Sequence, residues 1–225
     1  MGNAILMPLR AVLFDFDGVI ADTENHHVAA WQRTFGLMGW LIPDAVCAQA
    51  AERNDHDFLA GIFAEKNFED GDVEGWVARK QEFTLTMLAD SPRVYPGVSA
   101  LLERLKDKVA LAVVTTTWRS NVATVLQSAG LGSMFELIIA KEDSKLLKPD
   151  PAPYRLALER LNVSPAEAVA LEDSPNGLAS AVGAGLTAIA VGHRRTQGPW
   201  VGSASYVKNF RDTERLLSLL GLAPV

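Results

Sequence analysis

Cysteine is almost absent from the chain, which limits what can hold the fold together. The 225 residues include one cysteine, Cys47, so no internal disulfide can form. The N-terminal stretch has no apolar run of secretory-signal length, and we therefore expect a cytoplasmic protein. No run is long enough to span a membrane, and the myristoylation pattern begun by Met1-Gly2 has Leu6 where Ser or Thr is required. These absences predict no membrane partner.

The chain also has fewer basic residues than acidic ones. The formal net charge is -6 and the isoelectric point is near 5.2, whereas a surface that follows nucleic acid needs clustered Lys and Arg. We therefore expect no nucleic-acid partner, and any phosphate must be held locally. With 48% apolar and 21% charged residues and no visible repeat, the composition is typical of a globular protein with one sizeable core.

Short, continuously apolar runs predict a parallel sheet, because strands covered on both faces have this pattern. Five such runs occupy residues 11–14, 110–114, 136–140, 168–171 and 187–191. Helical apolar stripes lie between them, at 98–105, 122–129 and 154–161. This alternation predicts an α/β fold with a doubly wound, Rossmann-like parallel sheet, whose ligand sites lie beyond the carboxyl ends of the strands.

One segment interrupts the alternation. Residues 21–91 show several helical stripes and no convincing strand, with Gly36, Gly39 and Pro43 among the residues that punctuate them. We predict an inserted α-helical cap domain at 21–91, and an α/β core domain formed by 1–20 and 92–225.

Acidic residues follow the first predicted strand directly. Asp15 and Asp17 lie where that strand ends, so both carboxylates can point into the crevice at the sheet edge, and Gly18 allows a sharp turn. Two carboxylates this close repel each other, and a divalent cation is the simplest reason to keep them together. One can then attack phosphorus while the other transfers a proton.

Matching groups are predicted at further strand ends. Thr115 and Thr116 can hold a phosphate at the start of a helix, Lys148 can supply positive charge, and Glu172 with Asp173 forms a second acidic cluster. Each alone has an ordinary interpretation. Thr115 suits a helix cap, Lys148 a solvated surface, and the two acids the N-terminus of a helix. Only their order along the chain favours a shared site.

This order resembles the four motifs of the haloacid dehalogenase superfamily, over essentially the whole chain. The chain is most similar to the branch of small-sugar phosphatases and β-phosphoglucomutases, whose helical cap follows the first motif. The segments that carry the resemblance are Asp15-Phe16-Asp17-Gly18, Thr115, Lys148-Pro149 and Glu172-Asp173-Ser174-Pro175-Asn176-Gly177.

The resemblance implies a role for each motif residue. Asp15 is implied to form a phosphoaspartate and to bind Mg²⁺, and Asp17 to act as general acid and base while its backbone carbonyl binds the ion. Thr115 and Lys148 are implied to clamp the phosphate. Asp173 is an implied Mg²⁺ ligand, and Glu172 ligates directly or through water.

The acid at position 17 also bears on the reaction. Dehalogenases of the superfamily keep no acid there and need no magnesium, and its phosphonate hydrolases have a small residue there. Asp17 therefore implies a phosphate ester as substrate. Since Asp15, Asp17 and Asp173 are all present, an enzyme is favoured over a catalytically silent binding module on the same scaffold.

The cap leaves two reactions open, transfer of the phosphoryl group to water or to a sugar hydroxyl. His27 and Lys80 are similar to the β-phosphoglucomutase pattern, although both also suit a solvated helix face. The expected glycine-containing cap loop is altered at 50–57, where Arg53 and His56 are alternative phosphate contacts. We predict a phosphatase of a small phosphorylated metabolite such as a sugar phosphate, with phosphomutase as the alternative. Thr116, Arg53, His27 and Lys80 are the predicted substrate contacts.

Overall fold

The chain folds into two compact units. The computed structural model describes residues 8–68, 71–193 and 201–222. One unit consists of Met1–Asp22 and Val94–Val225, and the other of Thr23–Arg93. The polypeptide therefore leaves the first unit after Asp22 and returns to it at Val94.

A six-stranded sheet lies at the centre of the larger unit, and all of its strand pairs are parallel. Its order is β3-β2-β1-β4-β5-β6. Strands β1 and β4 are buried along their whole length, which is why apolar residues fill them almost without interruption. The strands are β1 Ala11–Phe14, β2 Ala110–Val114, β3 Leu137–Ile139, β4 Ala168–Glu172, β5 Thr187–Val191 and β6 Ser205–Val207.

Among the described residues, five α-helices belong to the same unit as this sheet. The apolar stripe predicted at 98–105 is buried in α5, and the buried face of α7 includes Tyr154, Ala157 and Leu158. Tyr154, Ala157 and Leu158 pack in one cluster with residues of the central strands, so one core serves both layers. The helices are α5 Val98–Leu105, α6 Arg119–Ser128, α7 Ala152–Leu161, α8 Pro175–Gly183 and α9 Thr213–Leu219.

The two edges of the sheet differ from the sequence prediction. β6 was missed because it has only three residues, Ser205 to Val207, of which Val207 alone is fully buried, so it leaves no apolar run. β3 is shorter than the predicted run 136–140. The predicted fold class, a doubly wound parallel sheet, is confirmed.

The position of β1 determines where a ligand can bind. β1 pairs with β2 on one side and with β4 on the other. The chain builds one side of the sheet as far as β3 and then crosses β1 to build the other. Such a reversal opens a crevice at the carboxyl ends of the flanking strands. Asp15 follows β1 at this edge, Thr115 follows β2, and Glu172 ends β4.

The described residues of the smaller unit are helical and contain no strand. Its helices are α1 Glu24–Leu37, α2 Asp44–Cys47, α3 Asp55–Glu65 and α4 Val73–Asp90, with a 3-10 turn at Ala48–Glu52. Trp31 stacks on Phe35 with 5.3 Å between ring centroids and meets Phe58 edge-on at 5.1 Å. Cys47 is buried in the same cluster, so this unit has its own hydrophobic core. In the described part of the chain, no helix has the length and apolar character needed to cross a bilayer.

Candidate active site

Asp15 lies directly after the central strand. Its amide donates to the carbonyl of Leu171 in β4 at 2.9 Å, which fixes its backbone against the neighbouring strand. Its side chain is largely buried, and Oδ1 accepts a hydrogen bond from Lys148 Nζ at 2.6 Å. A carboxylate at the centre of the sheet edge is thus paired with a cation.

Lys148 joins three strand ends. Its Nζ donates to Asp15 Oδ1 at 2.6 Å, to Glu172 Oε1 at 2.6 Å and to the carbonyl of Val114 at 2.8 Å. An ammonium group has three hydrogens, so these acceptors use all of them. Burial lowers the pKa of Lys148, but the carboxylates of Asp15 and Glu172 outweigh it and raise the pKa above its ordinary value. Lys148 is therefore a fixed positive charge in the neutral pH range.

Lys148 does not follow a strand directly, and this part of the sequence prediction is wrong. β3 ends at Ile139, and a 3-10 turn at Lys141–Asp143 and a loop come before Lys148. The ammonium reaches the ends of β1, β2 and β4 because it is carried on a flexible four-carbon stem.

Glu172 is fully buried at the end of β4. Its Oε1 accepts from Lys148 and also from the hydroxyl of Tyr154 at 2.5 Å. Burial raises the pKa of Glu172 above its ordinary value, Lys148 opposes this rise, and Asp15 adds to it. Burial also raises the pKa of Tyr154, which keeps its hydroxyl protonated as a donor. The single positive charge of Lys148 does not balance the negative charges of the carboxylates that surround it.

The acidic cluster fits a divalent cation. Asp15, Glu172 and Asp173 each offer an oxygen, and these oxygens lie within 4.8 Å of one another. When all three are ionised, the carboxylates against the single charge of Lys148 leave two negative charges in excess, which is the charge of one divalent ion. In the described residues Glu172 Oε2 is buried with no hydrogen-bond partner. Carboxylate oxygens are the ligands that Mg²⁺ prefers.

Two glycines make room for these carboxylates. Gly18 has φ +89°, and a Cβ there would lie 1.8 Å from Asp173 Oδ2. A Cβ on Gly177 would lie 1.9 Å from Glu172 Oε2. Side chains at these positions would displace the acids, so the glycines shape the cluster.

Three consecutive threonines follow β2 in the crevice. Thr115 is buried, and its amide donates to the carbonyl of Ile139 at 2.9 Å. Thr116 is exposed beside it. Thr117 donates its hydroxyl to Asp17 Oδ2 at 2.5 Å and its amide to Thr115 Oγ1 at 3.1 Å. The structure thus brings the threonines and the carboxylate of Asp17 together.

Two of the three predicted cap contacts meet inside the smaller unit. The side chain of Lys80 is 1% exposed, and its Nζ donates to Asp55 Oδ2 at 2.9 Å and lies 3.0 Å from His27 Nδ1. The same Nζ lies 5.4 Å from the ring centroid of Trp31. Arg53 is exposed in the turn just before α3.

Sequence reasoning missed two residues of the cluster. The sequence pattern predicts Tyr154 only as part of an apolar stripe, although a buried tyrosine hydroxyl usually has a hydrogen-bond partner and so indicates a polar group nearby. Thr117 was not singled out. The only hint was that a third threonine follows Thr115 and Thr116 where polar groups collect at a strand end.

Comparison with known proteins identifies the family. A model of the Haloacid dehalogenase-like hydrolase family matches residues 12–191. The chain belongs to this family. The predicted resemblance is therefore confirmed.

Similar proteins span most of the chain. The phosphorylated carbohydrates phosphatase of Thermotoga maritima is 30% identical over 182 residues, which are 80% of this chain and 84% of the relative. The beta-phosphoglucomutase of Bacillus subtilis is 28% identical over 219 residues, 91% of each chain. The crystal structure of CbbY from Rhodobacter sphaeroides in complex with phosphate has a TM-score of 0.78 and 30% identity, and the match covers 91% of this chain and 96% of that one. This haloacid dehalogenase-like protein is thus an enzyme of the phosphatase and phosphomutase type.

Proposed function

We propose that this enzyme is a magnesium-dependent phosphatase that hydrolyses a small phosphorylated metabolite through a phosphoaspartate on Asp15. The observation that carries the proposal is the 2.6 Å ion pair between Lys148 and Asp15, set at the end of the central strand among further carboxylates. A fixed cation beside the nucleophile lies where it can stabilise the charge of a phosphoryl group in transfer.

The first half-reaction phosphorylates Asp15. A carboxylate oxygen of Asp15 attacks phosphorus, and the bond between phosphorus and the ester oxygen breaks. Asp17 donates a proton to the leaving oxygen, so an alcohol departs instead of an alkoxide. Thr115 and Thr116 donate hydrogen bonds to the phosphoryl oxygens, and Lys148, held beside Asp15, supplies the positive charge that stabilises them.

The second half-reaction releases phosphate. Asp17, now ionised, takes a proton from the water molecule that attacks phosphorus. The bond between phosphorus and Asp15 breaks, which restores the Asp15 carboxylate, the protonated Asp17 and free phosphate. Asp17 thus ends the cycle in the state in which it began.

The acidic cluster is proposed to hold Mg²⁺ through Asp15, Glu172 and Asp173, with the backbone carbonyl of Asp17 as a further ligand. When bound, the ion neutralises charge on the phosphate. The two excess negative charges of the cluster and the buried Oε2 of Glu172 support this assignment.

A sugar phosphate is the proposed substrate, because the Thermotoga relative is named as a phosphatase of phosphorylated carbohydrates. Phosphomutase activity is the second candidate. It is favoured by the beta-phosphoglucomutase relative and by the pairing of His27 with Lys80 in the cap. The two reactions share the phosphoaspartate and differ in whether water or a sugar hydroxyl accepts the phosphoryl group. Arg53 remains a proposed phosphate contact.

The experiment is a panel of phosphorylated sugars, assayed with and without a sugar bisphosphate. Release of inorganic phosphate supports a phosphatase, whereas an isomeric sugar phosphate formed only with the bisphosphate supports the mutase. Asp15→Asn should abolish turnover while the protein stays folded, because it keeps the volume and removes the attacking charge. Asp107→Asn makes the same change at an exposed site with φ +63°, which Asn tolerates, and should keep full activity. Normal turnover by folded Asp15→Asn would refute the mechanism.

A further inference from the structure

Thr117 is held from three directions in the loop between β2 and α6. Its amide donates to Thr115 Oγ1 at 3.1 Å, and its carbonyl accepts from the amide of Lys141 at 3.0 Å. Its hydroxyl donates to Asp17 Oδ2 at 2.5 Å. Two hydrogen bonds therefore hold the backbone of Thr117 in place, and the side chain makes a third.

Asp17 needs such a support. It lies after β1, in the turn where Asp17 forms an isolated bridge with Ala21. The carboxyl group of an aspartate can occupy several staggered rotamers. A hydrogen bond from a fixed hydroxyl to one oxygen selects the rotamer in which that bond is made.

We propose that Thr117 is the positioning residue for Asp17, and that it sets which oxygen of the carboxyl group transfers the proton. This inference rests on the proposed function, in which Asp17 is the general acid and base. The Thr117 hydroxyl has one hydrogen and gives it to Oδ2. The proton delivered to the leaving oxygen, and later recovered from water, is therefore carried on Oδ1.

The three threonines after β2 then have separate tasks. Thr115 and Thr116 face the phosphoryl group in the proposed mechanism, whereas Thr117 acts through Asp17. Loss of a phosphate contact slows every ester, because every ester carries the same phosphoryl group. Loss of the Asp17 support slows the first half-reaction, which kcat/KM reports, only for those esters whose leaving oxygen needs a proton.

The test is Thr117→Val, which removes the hydroxyl and keeps the branched shape. We expect kcat/KM to fall by about 10- to 100-fold on sugar phosphates, the factor that matches loss of one hydrogen bond to a charged group. On 2,4-dinitrophenyl phosphate, whose phenolate leaves without a proton, the loss should stay below about threefold. Thr187→Val makes the same change at the exposed first residue of β5 and should leave both rates unchanged. Equal losses on both esters would overturn the proposal.

Rescue distinguishes a hydrogen bond from a packing defect. Thr117→Ser keeps the hydroxyl and should recover sugar phosphate turnover to within about threefold of the wild type. A serine variant as slow as the valine variant, with unchanged thermal unfolding, would exclude the hydrogen bond as the cause.

A double-mutant cycle separates this inference from the proposed function. Asp17→Asn alone should slow sugar phosphates far more than the dinitrophenyl ester, and adding Thr117→Val should then cause no further selective loss. If Asp17→Asn slows both esters equally, the acid role of Asp17 fails, and the role of Thr117 fails with it. If Asp17→Asn is selective but Thr117→Val adds its full effect, only the role of Thr117 fails.

Discussion

Tyr154 and Glu172 are both fully buried, and the tyrosine hydroxyl donates to Glu172 Oε1 at 2.5 Å. The tyrosine ring also lies 5.2 Å from Lys148 Nζ, measured to the ring centroid. Tyr154, a residue on the apolar stripe of α7, therefore also contacts the acidic cluster through its hydroxyl. The hydrophobic core and the site share this side chain.

Tyr154→Phe should destabilise the protein, because it keeps the ring and removes the donor to Glu172. We expect the free energy of unfolding to fall by about 1.5–3 kcal/mol, typical of a hydrogen bond to a charged group. Urea denaturation in the presence of a chelator, above the raised pKa of about 8 at which Glu172 ionises, measures this. In a Glu172→Gln background the acceptor is neutral, and the same change should cost about 1 kcal/mol. An unchanged denaturation midpoint for Tyr154→Phe would mean that the bond adds no net stability.

Magnesium should stabilise the folded protein, since the acidic cluster in its ionised form carries two excess negative charges. A Mg²⁺ concentration about a hundredfold above Kd should add about 2.7 kcal/mol, visible as a higher Tm, and chelation should reverse the shift and stop turnover. Asp173→Asn should greatly reduce the shift, whereas the exposed Asp107→Asn should retain it. Full activity in chelator would contradict the metal assignment.

Gly18→Ala should disrupt the cluster more than strain alone would. At φ +89° an alanine costs about 1–2 kcal/mol, and its Cβ would also meet Asp173 Oδ2 at 1.8 Å. Gly130 has φ +70°, and a Cβ there would meet nothing within 4 Å, so Gly130→Ala carries the strain without the collision. We expect Gly18→Ala to lose Mg²⁺ stabilisation and turnover, and Gly130→Ala to lose only stability. Similar behaviour of the two variants would show that backbone strain is the whole effect.

His193 should make stability depend on pH. Its ring stacks on Tyr95 with 4.2 Å between centroids and meets Phe210 edge-on, and burial lowers its pKa from 6.5 to about 4. The unfolded chain therefore binds a proton at higher pH than the folded protein. The contribution of His193 to the free energy of unfolding is constant above pH 6.5. As the pH falls towards 4, it becomes increasingly destabilising.

His193→Phe keeps an aromatic ring and removes this titration. Between about pH 7 and pH 4.5, the variant should lose about 2 kcal/mol less stability than the wild type in urea denaturation. Carboxylates that titrate in both proteins contribute equally to both pH profiles of the unfolding free energy. The difference between the two profiles therefore isolates His193. Parallel pH profiles for the two proteins would show that His193 is not the titrating group.

The centre of the sheet could be predicted from sequence for a simple reason. β1 and β4 are covered on both faces, so their apolar runs are nearly continuous and end at polar residues. Parallel strands end on the same side of a sheet, which is why Asp15, Thr115 and Glu172 could be expected at one edge. The edge strand β6 has no such run and stayed invisible.

Contacts that depend on side-chain reach could not be predicted. Lys148 lies on a loop, and its long side chain reaches the ends of β1, β2 and β4. The positions of the strand ends alone do not predict this contact. The bond between Thr117 and Asp17 joins residues 100 positions apart, and such a pair leaves no periodic pattern. The buried pairing of the Lys80 ammonium with Asp55, on another helix 25 positions away, also leaves no pattern, and the substrate contact of Lys80 stays a prediction.

The central position of β1 in the sheet has a consequence for folding during synthesis on the ribosome. Lys148 lies 133 positions after Asp15, and at about 5–20 residues per second roughly 7–27 s separate their synthesis. For most of that interval the apolar strand β1 has no partner, because β2 begins only at Ala110 and β4 at Ala168, while the intervening unit Thr23–Arg93 can begin to form its own core. A nascent chain that stalls before Lys148 therefore carries Asp15, the proposed nucleophile, without the cation that pairs with it. The ion pair on which the proposed mechanism depends is thus completed long after the first strand has been made.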